Sequence, residues 1–516
     1  MTKLNAPQKL FAALFLSLSL IGQAASATLP LSVRDALKHA NIPLSSVGIV
    51  VQQSDARTPL LSQNAQQAMN PASTMKLLTT FASLETLGPA YSWKTEVYLD
   101  GKLENGVLQG NLIFKGYGDP KLTIEQFWLW LRELRQRGLR EIHGDIVLDR
   151  SFFEATSHDP AEFDNDPTRA YNVGPTALLL NFNALHLRLI PEVATTGAAK
   201  TGAAQTNALL DPDLSGYLIS NHIITTAAKR PCNGGDNYKA HLEEQNIVIE
   251  GTFPLDCGEV EEYFSLLSHD DYFFAVFSSL WQELGGKLQG KLRAGKALAD
   301  QTAFSTHISP PLSEVIRDIN KFSNNIMARQ LFLTLGATTP APMTVPVLLD
   351  AEMTPPIGSP PDDRPSGGLG AGSDPPAANI ARSTAVVQQW LNKQQLHFPE
   401  LVLENGAGLS RKERISPQHL AELLQHATRS PYAAELEASL PILGMDGSVK
   451  KRFKDSEIAG YAHLKTGTLE GVKSMAGYVD ARSGKKWIVV FIINHRNAAA
   501  GQDAQDALIQ WLQLGY

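Results

Sequence analysis

Three short clusters stand in a fixed order along this chain: Ser73-Thr-Met-Lys76, Ser323-Asn-Asn325 and Lys465-Thr-Gly467. A fold that unites them must close across the 250 residues between the first two serines, 323 minus 73. No cluster is informative alone. About two S-x-x-K matches arise by chance in a chain this long, and Ser448 to Lys451 and Ser483 to Lys486 are further instances. K-T-G is expected only about 0.1 times, so it is the most specific of the three, and their joint order carries the signal.

Pro71-Ala72 precede Ser73, and Met75, Leu77, Leu78, Phe81, Leu84 and Leu87 follow at near-helical spacing, which predicts that the serine opens a mostly buried helix. Its hydroxyl then lies near the positive end of the helix dipole, with Lys76 on the same face. Ser448 follows Asp446-Gly447 and Ser483 precedes Gly484, turn contexts where nothing would hold a lysine against a hydroxyl. A serine at a helix start also serves as an N-cap; the other two clusters weigh against that role. As a nucleophile, serine needs a base within reach. No histidine has motif support, which leaves Lys76, and a lysine is a base only when neutral, a state favoured by burial and by a second cation such as Lys465.

A chain of 516 residues holds more than one domain. Its net charge of −7, without a basic run, argues against nucleic acid or an anionic membrane surface as partner. The 13 histidines show no H-E-x-x-H and no Cys/His ligand spacing, so neither a metal nor another cofactor is expected. Residues 1–27 read as an export signal: Lys3 and Lys9, an apolar run from Leu10 to Ile21, then Ala25-Ser26-Ala27 as cleavage site. That run is short for a membrane span, no later stretch reaches about 18 apolar residues, and no transmembrane anchor is expected. In an exported protein Cys232 and Cys257, 25 apart, are expected to form a disulfide.

Residues 93–115 alternate like strands around an Asn105-Gly106 turn, and the Thr, Ala and Gly-rich run Ala194 to Ala208 reads as a loop. Helical patterning resumes at Asp271, and Thr338 to Pro376, holding ten of the 30 prolines, reads as a long surface loop. Tyr461–Leu469, Met475–Val479 and Trp487–Ile493 read as a hairpin-rich sheet, and Leu508, Ile509, Trp511 and Leu512 as a closing core helix.

The three clusters resemble those of penicillin-binding proteins and β-lactamases. Their long first gap, with Gly144-Asp-Ile-Val-Leu-Asp149, Glu404-Asn-Gly-Ala-Gly-Leu-Ser-Arg411 and Gly444-Met-Asp-Gly447 ahead of His463-Leu-Lys-Thr-Gly-Thr468, is similar to the low-molecular-mass class C D-alanyl-D-alanine carboxypeptidases and endopeptidases. The resemblance implies an α/β (α+β) fold: a β-lactamase/transpeptidase-like catalytic domain, an antiparallel sheet flanked by helices, over 28–89 and 268–516. A large, mostly β inserted domain over 90–183 and 250–267 would split it, with a subdomain nested at 184–249 and the 338–376 loop within the catalytic part.

The activity implied is that of a periplasmic, penicillin-sensitive serine carboxypeptidase and endopeptidase, with peptidoglycan stem peptides and β-lactams as its partners. Ser73 is then the nucleophile and Lys76 its base, Ser323 passes a proton to the leaving amine, and Asn325 fixes Lys76. Lys465 and Thr466 meet the terminal carboxylate of the substrate. Gly467 lets the substrate lie along the strand, and the N–H groups of Ser73 and Thr468 form the oxyanion hole. A selecting shell for a diaminopimelate side chain is implied at Asp166, Tyr171, Arg411 and Glu470, although the family more often has phenylalanine and glutamine where Tyr171 and Glu470 stand. Two other readings stay open: a β-lactamase, for which no Glu-x-x-x-Asn element lies between the first clusters, and a catalytically silent wall-binding scaffold, which would not need the serine, both lysines and Asn325.

Overall fold

A computed structural model describes residues 28–155, 158–192, 205–227, 232, 237–298, 300–338 and 377–515. The expected export signal, most of the Ala194–Ala208 run and the Pro-rich stretch beyond Thr338 lie outside these residues. Of that run, Gln205–Ala208 belong to a strand rather than to the loop read from composition.

The main sheet is five-stranded and antiparallel, in the order Ala462–Leu469, Val472–Asp480, Lys486–Asn494, Val47–Gln53, Leu61–Gln63. The unbroken apolar run Trp487–Ile493 is explained by burial on both faces. With side chains alternating along a strand, Ile488, Val490 and Ile492 enter one core, built on the helices Lys76–Leu87, Leu312–Lys321, Asn325–Thr338, Ile380–Lys393 and Pro417–Ala427. Trp487, Val489, Phe491 and Ile493 enter the other, beneath the helices Leu31–His39 and Gln502–Gly515. The closing helix, whose Leu508, Ile509 and Leu512 are buried, is thus a core element. Among the described residues no helix is long and apolar enough to cross a membrane.

Along the chain, between Leu61–Gln63 and Ala462–Leu469, lies a second sheet, with Lys94–Glu104 and Val107–Gly116 as its long hairpin. It extends further along the chain than residue 267. Ser305–Ile308 pairs with Lys94–Val97, Leu292–Ala294 pairs with Ile146–Leu148, and Lys287–Leu288 pairs with Glu141–Ile142. The helix His269–Glu283 belongs here too, because Phe114 meets Trp130, Phe273 and Phe277 edge-on at 5.1 to 5.7 Å within one aromatic core. The expected boundary at 267 is therefore moved to about Ile308: helical periodicity at Asp271 marked a new element but not which layer it covers.

The nested unit consists of two three-stranded sheets and runs past its expected end at 249. Strand Asn246–Pro254 crosses that position, and Val260–Phe264 returns to pair with Leu185–Leu189. Cys232 and Cys257 are bonded, with Cα atoms 5.4 Å apart, so the expected disulfide is present. The inserted part docks on helix Asn325–Thr338: Arg329 donates to the Val173 carbonyl at 2.9 Å, and Gln330 exchanges two bonds with the Thr176 backbone at 3.0 and 2.7 Å.

Candidate active site

Ser73 lies in a 3-10 turn, Ala72–Met75, that leads into the helix Lys76–Leu87, one turn earlier than a serine opening the α-helix itself. The turn begins with a left-handed Ala72, φ 46°, a conformation that costs an alanine energy unless its surroundings fix it. They do so from several sides. Asn70 accepts from the Ala72 N–H at 2.9 Å and donates to the Ser410 carbonyl at 2.8 Å. The Pro71 carbonyl accepts from the hydroxyls of Thr74 and Ser474 at 2.7 and 2.6 Å. Two glycines let backbone come against the turn: a Cβ on Gly408, φ +78°, would lie 1.9 Å from the Ala72 carbonyl oxygen, and one on Gly467 would lie 2.7 Å from the Ser73 nitrogen.

Lys76 is fully buried, and its Nζ donates to Ser73 Oγ at 3.0 Å, Asn325 Oδ1 at 2.6 Å and the Ala407 carbonyl at 2.5 Å. Burial, then the neighbouring Lys465 charge, hold its pKa well below the usual lysine value, against an opposing pull from Glu413. In the neutral amine two N–H groups suffice for Asn325 and Ala407, which leaves the lone pair facing the Ser73 hydroxyl, the arrangement a general base requires.

The second lysine is as deeply placed. Lys465, on the edge strand Ala462–Leu469, is fully buried and donates to Ser323 Oγ at 2.9 Å and to the Thr466 carbonyl at 2.8 Å. Burial pulls its pKa down to about 7. Ser323 sits in a left-handed bend, φ 58°, between the helices Leu312–Lys321 and Asn325–Thr338. The structure thus brings Ser73, Lys76 and Asn325 into contact, and Lys465 into contact with Ser323, with Gly467 against the serine turn and Thr468 exposed on the edge strand.

The four residues of the expected selecting shell fall into two groups. Arg411 donates to the Glu470 carbonyl at 2.9 Å, lies 3.3 Å from its carboxylate, and stacks on Phe163 at 4.8 Å. Asp166 accepts from Thr168 and from Arg169 Nε, both at 2.7 Å, while the Tyr171 hydroxyl donates to Asp164 at 2.6 Å and also meets Arg169. The Tyr171 carbonyl approaches Asn325 Nδ2 at 3.5 Å, so the inserted part reaches this cluster. A cavity of about 280 Å³ opens beside Arg411 and Phe163, with Glu404, Phe332 and the buried Arg329 in its wall. Among the described residues no three metal-binding side chains converge.

Sequence reasoning missed two residues here. Glu413 is fully buried, accepts from the N–H groups of Glu404, Asn405 and Gly406 at 3.1, 2.9 and 3.0 Å, and has its pKa raised by burial. It holds the loop whose Ala407 carbonyl receives Lys76. Ser448, set aside above as a chance match, has its Oγ 2.7 Å from Thr466 Oγ1. The Gly444-Met-Asp-Gly447 segment before it was the available signal.

A profile of the D-Ala-D-Ala carboxypeptidase 3 (S13) family matches residues 29–351 and 371–514. The D-alanyl-D-alanine carboxypeptidase DacB of Haemophilus influenzae is 24% identical over 452 residues, 87% of this chain and 85% of that one. A D-alanyl-D-alanine carboxypeptidase of Actinomadura sp. is 27% identical over 484 residues, 89% and 80% of the two chains. The crystal structure of penicillin binding protein 4 from H. influenzae superposes with a TM-score of 0.70 at 22% identity, covering 94% of this chain and all of that one, and so has the same fold.

Proposed function

The chain belongs to the D-Ala-D-Ala carboxypeptidase 3 (S13) family of serine-type hydrolases, and from that premise we propose a mechanism on the five grouped residues. Ser73 Oγ attacks the carbonyl between the last two D-alanines of a stem peptide while Lys76, neutral, takes its proton. The Oγ–C bond forms. The C–N bond then breaks as a proton reaches the leaving amine through Ser323, and water releases the acyl group from Ser73. Lys465 and Thr466 hold the leaving carboxylate, and the N–H groups of Ser73 and Thr468 receive the developing oxyanion. The single observation that carries this reading is Lys76 Nζ, fully buried and 3.0 Å from Ser73 Oγ.

The same machinery acts on D-alanyl-diaminopimelate cross-links, whose leaving amine also bears a neighbouring carboxylate. Residues 1–27 direct the chain to the periplasm, where that polymer lies. Benzylpenicillin, an amide of similar shape, is expected to form a slowly hydrolysed adduct with Ser73. Intact-mass measurement should find one adduct per wild-type chain and none on Ser73→Ala. An adduct on Ser73→Ala would refute the nucleophile assignment, and rapid turnover without an adduct would favour a β-lactamase.

A further inference from the structure

We propose that Ser448 is a positioning residue for the substrate's terminal carboxylate, acting through the hydroxyl of Thr466; this rests on the reading of the site given above. The two oxygens are 2.7 Å apart, and at that distance one hydroxyl must donate to the other. Each carries one proton and can also accept, whereas a carboxylate only accepts. Once Thr466 gives its proton to the substrate, its contact with Ser448 survives only if Ser448 is the donor. The order is then Ser448 O–H to Thr466 O–H to carboxylate, each bond polarising the next.

Ser448 is held for this task by a brace beneath it. Asp446 accepts from the Ile442 N–H at 2.7 Å and from Lys321 Nζ at 2.6 Å, and the buried Lys321 also donates to the Leu440 carbonyl at 2.8 Å. Gly447, φ +57°, brings its backbone so near Lys321 that a Cβ would lie 2.7 Å from the lysine's carbonyl oxygen. Lys321 closes the helix that leads into the Ser323 bend. One brace therefore links the hydroxyl behind Thr466 to the loop of the proton relay, so the carboxylate and the leaving amine are met by parts joined through Lys321.

Benzylpenicillin offers a carboxylate to the same site, and its methyl ester does not. Acylation rate constants for acid and ester are compared on wild type, Ser448→Ala, Ser448→Thr and Thr466→Val. Ser448→Ala should slow the acid about fivefold to tenfold and leave the ester unchanged, so the acid-to-ester ratio falls. Ser448→Thr, which keeps the hydroxyl, should restore the ratio, and Ser448→Ala added to Thr466→Val should change nothing more. Equal slowing of acid and ester, or an unchanged ratio, overturns the role of Ser448 alone. A wild type that takes no label at all overturns the functional reading, and this inference with it.

Discussion

Lys465 Nζ donates to Ser323 Oγ at 2.9 Å, so the cation assigned to the carboxylate also touches the hydroxyl assigned to the leaving amine. Its charge is sensitive to pH near neutrality, because burial brings its pKa to about 7. In the free enzyme, acylation by benzylpenicillin should therefore decline as pH rises through about 7, while the need for a neutral Lys76 sets the acid side. Lys465→Arg keeps its charge throughout and should shift the alkaline limb of the second-order rate profile upward. An alkaline limb that stays in place in this variant would assign that limb to another group.

The same lysine weighs on stability. Its folded pKa of about 7 lies below the unfolded value near 10.5, so between these limits the unfolded chain binds more protons and stability rises with pH. As pH falls through this window the stability is lost, and below it the full cost of a buried ammonium remains. Lys465→Met should stabilise the folded chain near neutral pH by an amount on the order of a few kcal/mol, seen as a higher melting temperature, with the gain fading towards pH 10.5. Thermal unfolding across that range checks it, and a gain independent of pH would argue against a titrating cause.

Arg411 and Glu470 are 46% and 90% exposed in their side chains, and an ion pair so solvated contributes about 0–1 kcal/mol. A substrate carboxylate can displace Glu470 from it. Stems carrying diaminopimelate should be cut better than equal stems carrying lysine, and Glu470→Gln should widen that preference by freeing the guanidinium. Arg411→Ala should lower the diaminopimelate rate about tenfold while sparing penicillin acylation. Equal rates on the two wild-type substrates would remove the selecting shell.

Glu413, itself buried, is the acceptor for three backbone N–H groups, that of Gly406 in a buried bond. Glu413→Leu leaves them without that acceptor and should cost about 3 kcal/mol or more in denaturant unfolding. Acylation should slow as well, because the Ala407 carbonyl loses its hold on Lys76. Glu413→Gln, which retains one oxygen, should recover part of both. A stable Glu413→Leu with normal acylation would show that the loop needs no such support.

How much was legible follows from what each signal depends on. The strands ending in Trp487–Ile493 and the closing helix could be read because burial on one or both faces dictates the pattern of apolar residues. The far side of the inserted layer could not: Lys287–Leu288, Leu292–Ala294 and Ser305–Ile308 are strands of two to four residues, too short to show a period. Ser73, Lys76, Ser323, Asn325 and Lys465 announced themselves by order along the chain. Glu413 did not, because a glutamate between Lys412 and Arg414 reads as surface charge until three amides are seen converging on it. The partners of Arg411 and Asp166 were likewise hidden, since sequence offers charges without saying which ones already answer each other.

Strand Val47–Gln53 lies between Leu61–Gln63 and Lys486–Asn494, and Asn494 exchanges bonds with the Asn70 backbone at 2.8 and 3.0 Å beside the serine turn. A ribosome delivers the serine long before it delivers that partner strand. Until Asn494 has emerged, the nascent chain lacks the strand on which Val47–Gln53 is seated and the side chain that ties down Asn70. On the proposed roles, Ser73 therefore gains its full surroundings only after Asn494 has emerged, so a chain still being synthesised carries that serine in an unfinished site.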